Sequence, residues 1–120
     1  MAERNEKGKV GEELAKQYLI NHDYKVLQTN WHAGHYEVDI IAQKDNLLVF
    51  CEVKYRTSNA FGEPESFVTR RQQQHIIKAA AFYVGKYQWQ GESRFDIVSI
   101  LTKKDTVNIN HIEDAYGSTW

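Results

Sequence analysis

Residues 37–54 read Glu-Val-Asp-Ile-Ile-Ala-Gln-Lys-Asp-Asn-Leu-Leu-Val-Phe-Cys-Glu-Val-Lys, and this stretch decides the fold. Two runs rich in β-branched and aromatic residues, 37–43 and 47–55, flank the turn-forming cluster Lys44-Asp45-Asn46. Two strands joined by a tight turn follow. Side chains alternate faces along a strand, so Glu52 and Lys54 share a face with Leu48 and Phe50, and Glu37 and Asp39 share one with Ile41. If Asp45-Asn46 is a two-residue turn, Lys44 pairs with Leu47. Asp39 then counts opposite Glu52, and Glu37 opposite Lys54. Cross-strand neighbours on one face have Cβ atoms ~5 Å apart. A three-residue turn would instead send Asp39 and Glu52 to opposite faces.

Outward from this hairpin, the pattern predicts a helix over 7–22, with Val10, Leu14 and Tyr18 recurring every four residues beside Ala15 and Leu19. A strand over 24–29 and a loop over 30–36 follow. Beyond the hairpin come a Gly/Pro/Ser-containing loop over 57–67 and a second helix over 69–86. That helix carries Ile76, Ala79, Ala80, Tyr83 and Tyr87 on one stripe, and Thr69-Arg-Arg-Gln72 fits a capping box at its start. Two last strands, 94–101 and 106–112, are joined by Lys103-Lys-Asp105. The order α-β-β-β-α-β-β predicts an α/β fold with a single mixed sheet flanked by helices, which buries both helix stripes. The first six and last four residues read as loose ends.

The chain has 120 residues, one domain's worth, with no linker, repeat or low-complexity stretch, so we expect a single domain over 1–120. Hydrophobic residues at 42% and charged residues at 26% place it among globular chains rather than disordered ones. The longest apolar run, Ala79–Val84, is far short of the roughly 20 residues a membrane helix needs. The N-terminus carries no apolar signal segment, and the single cysteine excludes an internal disulfide and a Cys-based zinc site. A cytoplasmic, reduced protein with no membrane partner is expected. The formal charge of −1 argues mildly against binding nucleic acid by bulk charge. Local charge tells another story: from Lys54 to Gln88 six basic residues face two acidic ones, a balance of +4. Arg70 and Arg71 stand at a helix start, where backbone N–H groups also favour a phosphate; the plainer reading is a solvated face.

Two carboxylates at the predicted Asp39–Glu52 separation repel unless one holds a proton or a cation sits between them. Carboxylate oxygens suit a hard ion such as Mg²⁺, or Mn²⁺. A neighbouring lysine, Lys54, can orient a metal-bound water or stabilise charge on a phosphoryl transition state. The bland alternative is a solvated Glu-x-Lys ion pair. On the first helix Glu12 falls on the buried stripe, a third acid able to reach the site, or simply a residue favoured by the helix dipole.

These residues match something known. Gly8-x-x-Gly11-Glu12, Asn30, Glu37-x-Asp39, Phe50-x-Glu-x-Lys-x-Arg56, Ala79-Ala80 and Arg94-Phe-Asp96, in that order, resemble the YraN-type family of predicted bacterial endonucleases. That family is distantly similar to archaeal Holliday-junction resolvases. The resemblance covers about residues 5–112 and implies a PD-(D/E)xK, restriction-endonuclease-like fold. It implies Asp39 and Glu52 as metal ligands with the backbone carbonyl of Val53, Lys54 serving the nucleophilic water, and Glu12 as the first-helix acid. Glu37 and Arg56 become supporting residues; Arg56 with Arg70 and Arg71 is the candidate nucleic-acid-binding set, and Gln72 a candidate supporting residue. The implied activity is Mg²⁺- or Mn²⁺-dependent cleavage of DNA, branched or structured, by a protein that often works as a homodimer. The chain departs from the pattern at Tyr36, where glycine is usual, at Val38, where the general motif has proline, and at Gln72, where many members carry lysine. The capping box with Thr69 explains Gln72 better than a phosphate contact.

Other readings are simpler. His32-x-x-His35-x-Glu37 offers a zinc set lacking a fourth ligand, against an exposed polar loop. Cys51 reads as a core thiol and Asp96 as an ion-pair partner of Arg94. Trp31, Tyr36, Tyr55 and Phe61 read as core or as platforms for an exposed base. A second function class stays open: a nucleic-acid-binding or protein-interaction domain of the same fold without turnover. A third is an adaptor with no nucleic-acid role.

Overall fold

A computed structural model describes residues 6–57 and 68–117, with side chains from residue 8 onward. The elements are α1 (Glu6–Asn21), β1 (Lys25–Ala33), β2 (Tyr36–Lys44), β3 (Leu47–Arg56), α2 (Arg70–Tyr87), β4 (Glu92–Lys103) and β5 (Thr106–Tyr116). The five strands form one mixed sheet in sequential order. All neighbours are antiparallel except β3 and β4, which run parallel from Leu47↔Glu92 to Arg56↔Leu101. A parallel pair needs a long crossover, and α2 lies within it.

Three hairpins set the register, each with two turn residues of which the first has a positive φ: Gly34 (63°), Asp45 (54°) and Lys104 (51°). Such turns match the twist of the flanking strands. Lys44 pairs with Leu47, as the even-length connection requires.

Each face of the sheet is covered by one helix. Ile41, Leu48, Phe50 and Ile97 pack with Ile76, Ala79, Ala80 and Tyr83 of α2. Ile40, Ala42, Val49, Cys51, Val98 and Ile100 pack with Ala15 and Leu19 of α1. Burial on both faces is why β2 and β3 read as near-continuous apolar runs. The α1 seam is Gly11, Ala15 and Leu19; Val10, expected on it, is 43% exposed. A Cβ on Gly11 would meet Tyr55 Cβ at 2.7 Å, so the missing side chain lets α1 sit close on β3. On α2, Tyr87 also lies outside the buried stripe, though its ring rests 4.6 Å from that of Tyr83. The capping box is present, with Thr69 and Gln72 bonding reciprocally.

Strand ends differ from the sequence expectation in two places. β1 runs through Ala33 where a loop over 30–36 is expected. Trp31 pairs with Val38 and packs edge-on to Tyr83, a burial that extends the strand past Asn30 at φ 51°; the ladder's register shift lies earlier, between Val26 and Gln28. β5 continues to Tyr116 because the register shifts between Phe95 and Ile97, after which Tyr116 pairs again with Phe95. The expected 57–67 loop, with Phe61, and the C-terminal tail fall outside the described residues beyond Thr57 and Gly117. Among the described residues no helix is long and apolar enough to cross a membrane.

Candidate functional site

The β2–β3 ladder runs from Lys44↔Leu47 to Ile40↔Cys51 and stops. At the next position Asp39 turns its carboxylate onto β3, where Oδ2 accepts the Val53 N–H at 2.8 Å. In an extended strand the N–H and C=O of one residue point the same way. The Val53 carbonyl therefore faces the same gap between the parting strands. Glu52 counts opposite Asp39, as the register argument expects, close enough for the Asp39 charge to act on it. Lys54 Nζ stands 3.6 Å from Glu52 Oε2, with both side chains mostly buried.

Glu52 is pushed up to about 8 by burial first and by the Asp39 charge second, against the opposing pull of Lys54. Below that pH Glu52 keeps its proton, which lets two half-buried carboxyl groups stand together. A cavity of about 200 Å³ opens beside them. Glu37, Asp39 and Glu52 line it from the sheet, His35 and Tyr36 from the β1–β2 hairpin, and Gln72, His75 and Ile76 from α2. The His75 ring lies 5.0 Å from the Tyr36 ring, and Lys78 Nζ lies 5.9 Å from the same tyrosine.

Asp39, Glu52, Val53 and Lys54 thus come together, with Glu37 on the cavity wall. Glu37 does not join the ladder opposite Lys54, because the ladder has already ended; it lies 3.8 Å from His32 Nε2 across the β1–β2 hairpin. Glu12 is half-buried on α1, which packs against the other face of the sheet, and it does not line this cavity. Arg56 ends β3 opposite Leu101, half-buried. Arg70 and Arg71 are exposed on the first turn of α2, one residue before Gln72 reaches the cavity rim. His32 lies on β1 and His35 in the two-residue turn that follows it, both exposed. Among the described residues no group of three or more His, Cys, Asp or Glu side chains is arranged to hold a metal ion, which removes the zinc set. Tyr55 packs toward α1, its hydroxyl 3.3 Å from Thr102 Oγ1, and Trp31 is part of the α2-side core.

His75 was not singled out in the sequence, although it lies one turn beyond Gln72 on α2, a spacing that could have flagged it, and Ile76, expected in the core, also lines the cavity. Tyr116 was not singled out either. That residue is 1% exposed, and burial first and Glu52 second hold its phenol well above the usual range. It reaches the core only through the β5 register shift, which no local pattern announces.

On the α1 face stands a second acid. Asp96 is fully buried and accepts from Arg94 Nε and Nη2 at 2.8 Å each, from the Asp114 N–H at 3.0 Å, and pairs with His111 Nε2 at 2.7 Å. The ion pair expected with Arg94 is present. His111 Nδ1 in turn lies 3.3 Å from the Tyr18 hydroxyl, which ties α1 to β5. Cys51 is fully buried, and burial pushes its thiol well up, as suits an inert core residue.

Comparison with known proteins finds one family. The model of the uncharacterised protein family UPF0102 matches residues 11–100. A UPF0102 protein of Christiangramia forsetii is 45% identical over 116 residues, spanning 97% of this chain and 98% of its own. A UPF0102 protein of Flavobacterium johnsoniae is 44% identical over 120 residues, 97% and 98% of the two chains. One of Bacteroides thetaiotaomicron is 40% identical over 116 residues, 97% and 96%.

Proposed function

The chain belongs to the uncharacterised protein family UPF0102, whose name assigns no chemistry, and from the site we propose a metal-dependent endonuclease of the YraN type. It hydrolyses phosphodiester bonds in DNA, with branched or structured DNA as the substrate class the resemblance implies, in the cytoplasm and as a homodimer. The observation that carries this reading is the Asp39–Glu52 pair at the split of β2 and β3, flanked by Lys54. Two carboxylates and a backbone carbonyl are the donor set of a hard divalent cation that keeps part of its water shell, Mg²⁺ or Mn²⁺. The raised Glu52 carboxyl, pushed up by burial and by the Asp39 charge, is what a site short of positive charge shows. Asp39, Glu52 and the Val53 carbonyl would hold the ion, which when bound supplies charge to stabilise the phosphoryl transition state. Lys54, anchored beside Glu52, orients the attacking water. Glu37 supports the acidic wall, and Arg56, Arg70 and Arg71 meet the DNA backbone. Glu12 acts, on this reading, from outside the cavity.

The test is cleavage of linear, nicked and branched DNA, and of RNA, with Mg²⁺ or Mn²⁺. Asp39→Ala, Glu52→Ala and Lys54→Ala should each lose at least ~10²-fold. Activity that survives all three substitutions sinks the assignment.

One observation favours a second reading, binding without turnover. The first turn of α2 holds no acidic residue but two arginines, charges the helix dipole disfavours. An anionic partner would explain them. Salt-sensitive DNA binding with no cleavage under either metal would select that reading.

A further inference from the structure

We propose that His75 is the general acid of this site, donating a proton to the oxygen that departs from phosphorus. The inference rests on the nuclease reading above. Its ground is that the cavity has two chemically different walls. The sheet wall carries Glu37, Asp39 and Glu52, and the helix wall carries Gln72, His75 and Ile76. Lys54 stands on the sheet side, 3.6 Å from Glu52. In phosphoryl transfer the attacking and departing oxygens lie roughly in line on opposite sides of phosphorus. Water attacking from the sheet wall therefore expels the other oxygen toward α2.

Among the described residues of that wall, His75 is the group that can meet it with a proton. Ile76 has none, and Gln72 is a neutral amide whose Oε1 is engaged by the Thr69 N–H. An imidazole is the side chain best suited to hand over a proton near neutrality. His75 is half-buried, and its ring is held against Tyr36 at 5.0 Å, a contact that fixes its aim. His35, also at the cavity, sits exposed on a turn and has no such hold. Atoms balance as follows. The water oxygen forms the new P–O bond and its proton passes to solvent. The old P–O bond breaks with its electron pair on the departing oxygen, which takes the His75 proton and leaves as an alcohol. The imidazole regains a proton from solvent.

The experiment compares two substrates in the full chain with Mn²⁺. A DNA phosphodiester has an alkoxide leaving group that needs the proton. Bis(p-nitrophenyl) phosphate has a phenolate that does not. His75→Gln should lose about 10²-fold or more on DNA while its rate on the nitrophenyl ester stays close to wild type. Glu52→Gln should lose activity on both. Equal losses by His75→Gln on the two substrates, or none on DNA, overturn the assignment while leaving the nuclease reading standing. Wild-type protein inert on both substrates removes the nuclease reading, and the His75 role with it. A thermal melt of His75→Gln matching wild type excludes a folding defect as the source of a selective loss.

Discussion

Glu52 and Asp96 are two buried acids separated by one strand spacing. Asp96 pairs across the parallel ladder with Cys51, the residue before Glu52, and the two side chains lie on opposite faces of the sheet. Burial pushes both upward. At Asp96 hydrogen bonds from His111, Arg94 and the Asp114 N–H outweigh it and hold the carboxyl below its usual range. At Glu52 the next strongest influence is another carboxylate, and one lysine does not offset it. The same sheet can satisfy a buried acid completely. Where it leaves one short of positive charge, the remaining charge can come from a cation.

The largest effect that could break this contrast is on stability. Asp96→Ala takes from Arg94 and His111 the buried carboxylate they share, leaving Arg94 the Tyr24 hydroxyl, and urea denaturation should show a loss of about 3–5 kcal/mol. A variant as stable as wild type would mean the network does not hold the fold. Its partner experiment is metal addition. At a concentration a hundred times its Kd, Mn²⁺ should stabilise wild type by about 2.7 kcal/mol. At pH 7 it should also release protons, seen as a buffer-dependent heat of binding. Neither response should appear in Glu52→Gln. Proton-neutral binding would show that the pair does not hold the proton assigned to it.

The smallest effect sharpens the comparison through pH. Glu52 has its folded value, about 8, above the unfolded carboxylate value, so the native state binds the extra proton between them. Its contribution is most favourable below the unfolded value, falls as pH rises toward 8 and is level beyond. Asp96 runs the other way. Its contribution is complete above the unfolded value of 3.8 and is lost as pH falls through the lower folded value. Metal-free Glu52→Gln should therefore gain on wild type as pH rises from 5 toward 8, and no further beyond it, in parallel melts. Identical pH slopes would show that Glu52 is ionised throughout.

Much of this was legible locally. The period-two pattern of residues 37–54 and a two-residue turn are enough to place Asp39 opposite Glu52. Thr69 and Gln72 announce their cap, and Arg94 and Asp96, two apart on a strand, announce their ion pair. The extension of β1 was not legible, since it depends on Trp31 finding Tyr83 from α2. Nor was the return of Tyr116, which depends on a register shift around Asp114 at φ 55°. Glu12 was placed on the inward side of α1, but which sheet face that helix covers is not a property of the helix.

The sequence by itself determined the hairpin, its register and the meeting of two acids, because turn length and side-chain alternation act over neighbouring residues. Only the tertiary structure decided that burial and the Asp39 charge push the Glu52 carboxyl up, that α2 supplies a cavity wall with His75, and that hydrogen bonds hold Asp96 below its usual range. Those outcomes depend on desolvation and on partners from distant strands and helices, and neither exists until the sheet is covered on both faces.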